Sequence, residues 1–168
     1  APRGGHAEGI KVLHELGVDV NICDQYGMSP VFAAVWGGHT ECIRVLHALG
    51  ADVNKCNNEG SSPVYIAAEY CRVECIRVLH ALGADVNKCE DIEGKSPVYI
   101  AWEKGHVECI RMLVKLGADV QQLLRIFADD DDDEEEEDEA YVGRTAMVRI
   151  GREIRTFLAA TALDTSPH

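Results

Sequence analysis

No apolar run in this 168-residue chain approaches the length that crosses a bilayer. No secretory signal is visible, and no initiator methionine opens the chain. There is no G-x-S-x-G elbow, no phosphate-binding glycine loop and no H-E-x-x-H pair, so the common hydrolase, nucleotide and zinc-protease signatures are missing. Basic charge is scarce. The formal net charge is −13, and eleven of the 29 acids stand in one run, Asp129–Glu139. Without that run 18 acids face 16 bases, which is close to neutral and leaves no basic footprint for nucleic acid.

What the chain has is self-similarity. The 33 residues from Asn57 to Cys89 repeat the layout of Asp24 to Cys56. The 16-residue string ECIRVLHALGADVNKC occurs at Glu41–Cys56 and again at Glu74–Cys89. A third copy, Asp91 to Gln122, is shifted by a one-residue insertion near Glu90, and the end of a further copy occupies Gly4 to Cys23. A fixed period of this length marks a stacked repeat array. In such an array each unit contacts mainly its neighbours. Because the chain opens inside a repeat, it reads as a fragment or processed piece, and missing targeting signals carry little weight.

Each unit has the same local chemistry. Asn57-Asn58-Glu59-Gly60 is turn material. Ser62-Pro63 starts a helix, with serine as N-cap and proline at the first helical position, where no N–H is needed. A break at Cys71-Arg72 leads into a second helix over Val73–Leu82, closed by Gly83 as a left-handed C-cap. That helix carries apolar residues at 75, 76, 78, 79 and 82, wider than a surface stripe and suited to burial between neighbouring repeats.

These motifs resemble the ankyrin-repeat pattern G-x-T-P-L-H-x-A-A-x-x-G-H-x-E-x-V-x-x-L-L-x-x-G-A-D-V-N. It is met at Gly27-Met28-Ser29-Pro30-Val31, Ala33-Ala34, Gly38-His39, Glu41 and Gly50-Ala51-Asp52-Val53-Asn54, then from Gly60 to Asn87 and from Gly94 to Val120. The resemblance covers roughly three quarters of the chain. It implies an all-α solenoid of helix–turn–helix units with short β-hairpin loops. The expected organisation is a partial repeat at 1–23 and full repeats at 24–56, 57–89 and 90–122. A linker with the acidic tract at 123–139 and a C-terminal segment at 140–168 follow. Two departures stand out. Phe32, Tyr65 and Tyr99 replace the family histidine, so its polar network is absent or altered. Cys71-Arg72 replaces Gly-His, so that turn is either strained or built differently.

After Val120 the pattern fails. Residues 121–127 are apolar enough to pack on the last repeat, and the acidic run reads as a solvated, disordered tract. Met147, Ile150, Ile154, Phe157 and Leu158 have helical spacing. Either a degenerate capping repeat, with the acidic tract looped into its hairpin, or a loose C-terminal helix accounts for them.

Of the seven cysteines, Cys42, Cys75 and Cys109 share one repeat position, and Cys23, Cys56 and Cys89 another. Repeat spacing, an odd count and no visible secretory signal point to a reducing, intracellular setting, cytoplasmic or nuclear, and to buried thiols acting as small hydrophobes. Cys71 and Cys75 could share a helix face, but two thiols do not complete a zinc site. His14, His47 and His80 recur at 33-residue intervals. They form a half-buried row about 10 Å apart, too far to share an ion. Arg44, Arg77 and Arg111 follow Glu41, Glu74 and Glu108 by three residues, a pattern of helix-surface pairs. No catalytic residue, metal or cofactor is expected.

The resemblance places partners against the loop tips and first helices. Those positions are Gln25, Tyr26, Met28, Trp36 and Gly37 in the first full unit. They are Asn58, Glu59, Ser61, Glu69 and Tyr70 in the second, and Ile92, Glu93, Lys95, Glu103 and Lys104 in the third. Tyr26, Met28, Trp36 and Tyr70 are the expected anchors, because exposed aromatics dominate interface energetics. Glu59, Glu69, Glu103, Lys95 and Lys104 form the rim. The alternative for Trp36 is packing across its own hairpin. The expected function is a non-catalytic module that binds another protein on its concave face. The alternative is the targeting or substrate-recognition part of a larger enzyme or ubiquitin-ligase adaptor. The acidic run Asp129–Glu139 suits a basic partner; neither direct nucleic-acid nor membrane binding is expected. The resemblance also marks Asn21, Asn54 and Asn87 as positions of occasional β-hydroxylation, with a hydrogen bond inside the turn as the plainer role.

Overall fold

The computed structural model describes residues 5–88, 94–129, 149, 151–153 and 156. The chain divides into two compact units, Ala1–Ala118 and Asp119–His168. The first holds α1 (Gly5–Glu15), α2 (Pro30–Gly37), α3 (Thr40–Ala48), α4 (Pro63–Glu69), α5 (Val73–Ala81), α6 (Pro97–Glu103) and α7 (Val107–Lys115). In the second, α8 (Gln121–Asp129) makes the start of the expected linker helical. The side chain of Asp119 accepts the Gln121 N–H at 2.9 Å at its start. Residues 149, 151–153 and 156 are also helical. Cys89, the insertion near Glu90, the acidic run beyond Asp129, and Met147, Ile150, Ile154, Phe157 and Leu158 lie outside the described residues.

Serine and proline start the first helices as expected. The hydroxyls of Ser29, Ser62 and Ser96 accept the N–H of Phe32, Tyr65 and Tyr99 at 3.2, 3.1 and 3.2 Å. Pro30, Pro63 and Pro97 follow them. The second helices end in a Schellman pair. Gly83, at φ 89°, donates to the His80 carbonyl at 3.0 Å, and Ala84 donates to Leu79 at 2.9 Å. Gly50-Ala51 and Gly117-Ala118 do the same.

Helices α2, α4 and α6 stack in one layer, and α1, α3, α5 and α7 in another, with α2 on α3, α4 on α5 and α6 on α7. Ile43, Leu46, Ile76, Leu79, Ile110 and Leu113 from the second layer are at most 2% exposed. Val31, Val35, Val64 and Val98 meet them from the first, and Ala67, Ala68 and Ala101 are fully buried. Burying each large side chain contributes about 1.5–3 kcal/mol. Helices α4 and α5 have only 7 and 9 residues, too short to persist alone in water, so stacking holds them. Leu13 in α1 is 52% exposed where its counterparts Leu46 and Leu79 are 2% and 0%.

Two expectations change. Among the described residues no strand forms at the loop tips. The side chain of Asp24 takes the N–H groups of Tyr26 and Met28, both at 2.9 Å, and Asn57 takes those of Glu59 and Ser61 at 3.1 and 2.9 Å. Donors spent on a side chain are lost to a ladder. His14 and His80 are exposed rather than half-buried, and only His47 is partly covered. Each stands one residue, about 100° of turn, beyond the apolar row. Phe32 and Tyr65 are buried and Tyr99 half-buried, so aromatic rings fill the space where the resemblance expects histidine, in line with the altered polar network expected there.

Candidate protein-binding surface

The turn between the paired helices carries the most distinctive surface of the array. Helix α2 ends on Trp36 and Gly37, and the chain reverses through Gly38 at φ 75°. One repeat on, Tyr70 caps α4 and Cys71 takes the corresponding left-handed position at φ 54°. The turn keeps the hydrogen bonds of the neighbouring turns. Arg72 N–H donates to Ala67 at 2.7 Å, as His39 does to Ala34 and His106 to Ala101 at 2.8 Å. Of the two readings of this turn, strain holds, at Cys71, and a different construction does not: the turn is built like its neighbours.

Arg72 also takes over a contact between repeats. Its guanidinium donates to the Trp36 carbonyl at 3.1 Å. At the same place one repeat on, His106 Nε2 donates to the Glu69 carbonyl at 2.9 Å. Trp36 and Tyr70 come together above this support, with ring centroids 6.3 Å apart and planes tilted by 49°. They remain 49% and 46% exposed. Trp36 thus meets a ring of the next repeat instead of folding across its own loop.

The other expected residues divide. Tyr26 is exposed at its loop tip, Met28 is half-buried, and Asn58 N–H donates to the Tyr26 carbonyl at 3.0 Å. Glu59 and Lys104 are exposed; Glu69 is half-buried. Lys95 and Glu103 pair with each other at 2.9 Å, which lowers their value as independent rim charges. Trp102 was missed by sequence reasoning. Its ring lies 5.5 Å from Tyr99, and Lys95 Nζ sits 5.7 Å from the Tyr99 ring centre. Trp102 occupies the repeat position of Val35 and Ala68, both core residues, so the period reads it as core. Its size was the available signal, since an indole does not fit where an alanine is fully enclosed.

The D-V-N asparagines join successive repeats rather than closing their own turns. Asn54 Nδ2 donates to the Gly83 carbonyl at 3.3 Å while its Oδ1 accepts the Asp85 N–H at 2.9 Å. Asn21 makes the same pair with Gly50 and Asp52 at 3.1 and 2.9 Å. Lys55 and Lys88 add bonds to the Asn21 and Asn54 carbonyls at 3.0 and 2.9 Å.

Cys42, Cys75 and Cys109 lie in the core as expected. Burial pushes the Cys75 thiol up to about 11. Burial, with Cys71 beside it, pushes Cys109 up to about 12. Both are therefore protonated near neutrality, and Cys109 can act only on a sulfur already beside it. Cys71 is not on the face of α5; it stands in the preceding turn, with its sulfur 3.8 Å from that of Cys109. Among the described residues no group of three or more His, Cys, Asp or Glu side chains converges to hold a metal. Glu74–Arg77 and Glu108–Arg111 form exposed helix pairs at 3.4 and 3.8 Å.

A family model described as ankyrin repeats (3 copies) matches residues 1–90 and 46–123. The chain belongs to the ankyrin-repeat family. No curated protein matches it. Ankyrin repeats are generally protein–protein interaction modules and typically non-catalytic scaffolds. Among the described residues of this ankyrin-repeat protein, no helix is long and apolar enough to cross a membrane.

Proposed function

We propose that this array is a non-catalytic binding module whose partner protein docks on the concave face around Trp36 and Tyr70, with Tyr26 and Met28 alongside. The observation that carries this reading is the exposed Trp36–Tyr70 pair, two large rings from adjacent repeats held 6.3 Å apart. Aromatics at the centre of an interface contribute disproportionately to affinity. The turn hydrogen bonds fix the backbone beneath them, so little ordering is left for binding to supply. Glu59, Glu69 and Lys104 form the polar rim, and the Lys95–Glu103 pair closes it on the third full repeat. The proposal includes an intracellular setting, cytoplasmic or nuclear, in keeping with the buried thiols of Cys42 and Cys75.

Photo-crosslinking tests it. A benzophenone side chain at position 36 or 70 is expected to trap one partner, identified by mass spectrometry, that the same group at exposed Arg44 or Arg77 does not trap. Equal labelling from all four positions would count against a dedicated site. The acidic run Asp129–Glu139 is proposed to speed the approach of a basic segment on that partner, over a screening length of about 8 Å at physiological salt. Deleting the run is then expected to slow association and abolish its salt dependence. An unchanged rate would remove that part of the reading.

A further inference from the structure

Cys71 and Cys109 bring thiols from successive full repeats to a sulfur–sulfur separation of 3.8 Å. They differ in access: Cys71 is exposed, whereas Cys109 is wholly buried in α7. Among the described residues Cys71 is the only non-glycine at positive φ. The corresponding turn residues in the neighbouring repeats are Gly38 and Gly105, at φ 75° and 74°. A side chain in this region is disfavoured, and here it places a thiol over another thiol.

We propose that Cys71 and Cys109 form a redox modification site, at which a peroxide oxidises the pair to a disulfide that staples the second full repeat to the third. Nothing in this proposal depends on the partner surface. The sulfurs must close to about 2.05 Å for the bond to form. The Cys71 sulfur attacks one peroxide oxygen. The O–O bond breaks, and the departing hydroxide leaves as water with the thiol proton. Cys71 becomes a sulfenic acid. The Cys109 sulfur then attacks the Cys71 sulfur and breaks its S–O bond. The hydroxide released takes the Cys109 proton and leaves as a second water. Two thiols have lost two electrons and two protons, and one peroxide has been reduced to two waters. Access assigns the roles, since the surface thiol meets the oxidant and the enclosed thiol resolves the product.

The test uses the full chain, hydrogen peroxide in small excess, alkylation of remaining thiols under denaturing conditions, and peptide mapping by fragmentation mass spectrometry. The expected result is a Cys71–Cys109 link in monomeric protein, reversed by dithiothreitol. Cys71→Gly, which restores the glycine of the sister turns, is expected to fold and to form no link to Cys109. Cys109→Ala is expected to leave Cys71 as a sulfenic acid trapped by dimedone. The proposal is overturned by a link from Cys71 to another cysteine or another molecule. It is equally overturned if Cys109 is still fully alkylated after Cys71 has been oxidised.

Discussion

Arg72 holds Trp36 by its backbone: a guanidinium nitrogen stands 3.1 Å from the Trp36 carbonyl at the end of α2. A hydrogen bond of this kind contributes about 0.5–1.5 kcal/mol. Arg72→Ala is therefore expected to lower stability by about that amount in urea titration. Arg72→His, which copies His106 and its bond to Glu69, should come within about 0.5 kcal/mol of the parent. Equal losses for alanine and histidine would show that the bond contributes nothing.

Cys71→Gly acts in the opposite direction. Left-handed backbone costs a side-chain-bearing residue about 1–2 kcal/mol. Glycine's greater freedom in the unfolded chain returns roughly 0.5–1 of it. A net gain of up to about 1.5 kcal/mol under reducing conditions is the expected outcome, read by thermal or urea unfolding.

Asn54 ties two repeats through one amide, to Gly83 and to Asp85. Asn54→Ala removes both bonds and leaves the Asp85 N–H without this acceptor. A loss of about 1–3 kcal/mol is expected. Asn54→Asp keeps the acceptor and loses the donor, so it should fall between the two. Hydrogen exchange should report the loss at the Asp85 amide.

Leu13 and Leu46 share one repeat position but not one environment, at 52% and 2% exposed. Leu46→Ala is expected to cost about 2–5 kcal/mol, the usual range for a core leucine. Leu13→Ala should cost less than about 1 kcal/mol. Similar losses would mean that burial between repeats is not what sets them.

Much of this architecture was legible because short-range chemistry and period agree at each repeat. Ser62-Pro63 starts α4, Gly83 ends the turn after α5, and Ile43, Leu46, Ile76 and Leu79 enter the common interior. What stayed hidden crosses between repeats. No local rule says that the longer arginine side chain at 72 reaches the carbonyl a histidine reaches elsewhere. Nor does the period show that Cys71 lies beside Cys109, or that Asn54 serves the following repeat instead of its own turn. Trp102 was masked by an alignment that counts position and not volume. The exposure of Tyr26, Trp36 and Tyr70 was readable as places the repeat leaves free, whereas the approach of the Trp36 ring to that of Tyr70 was not.

The central claim is that Trp36 and Tyr70 exist to hold another protein. Its most direct test is calorimetric titration of the partner trapped at position 36 against the parent and Trp36→Ala/Tyr70→Ala proteins, after circular dichroism and unfolding show both folded. Two anchors each contributing more than about 1.4 kcal/mol predict at least roughly 100-fold weaker binding. Affinity within about twofold of the parent, less than roughly 0.5 kcal/mol, would contradict the account.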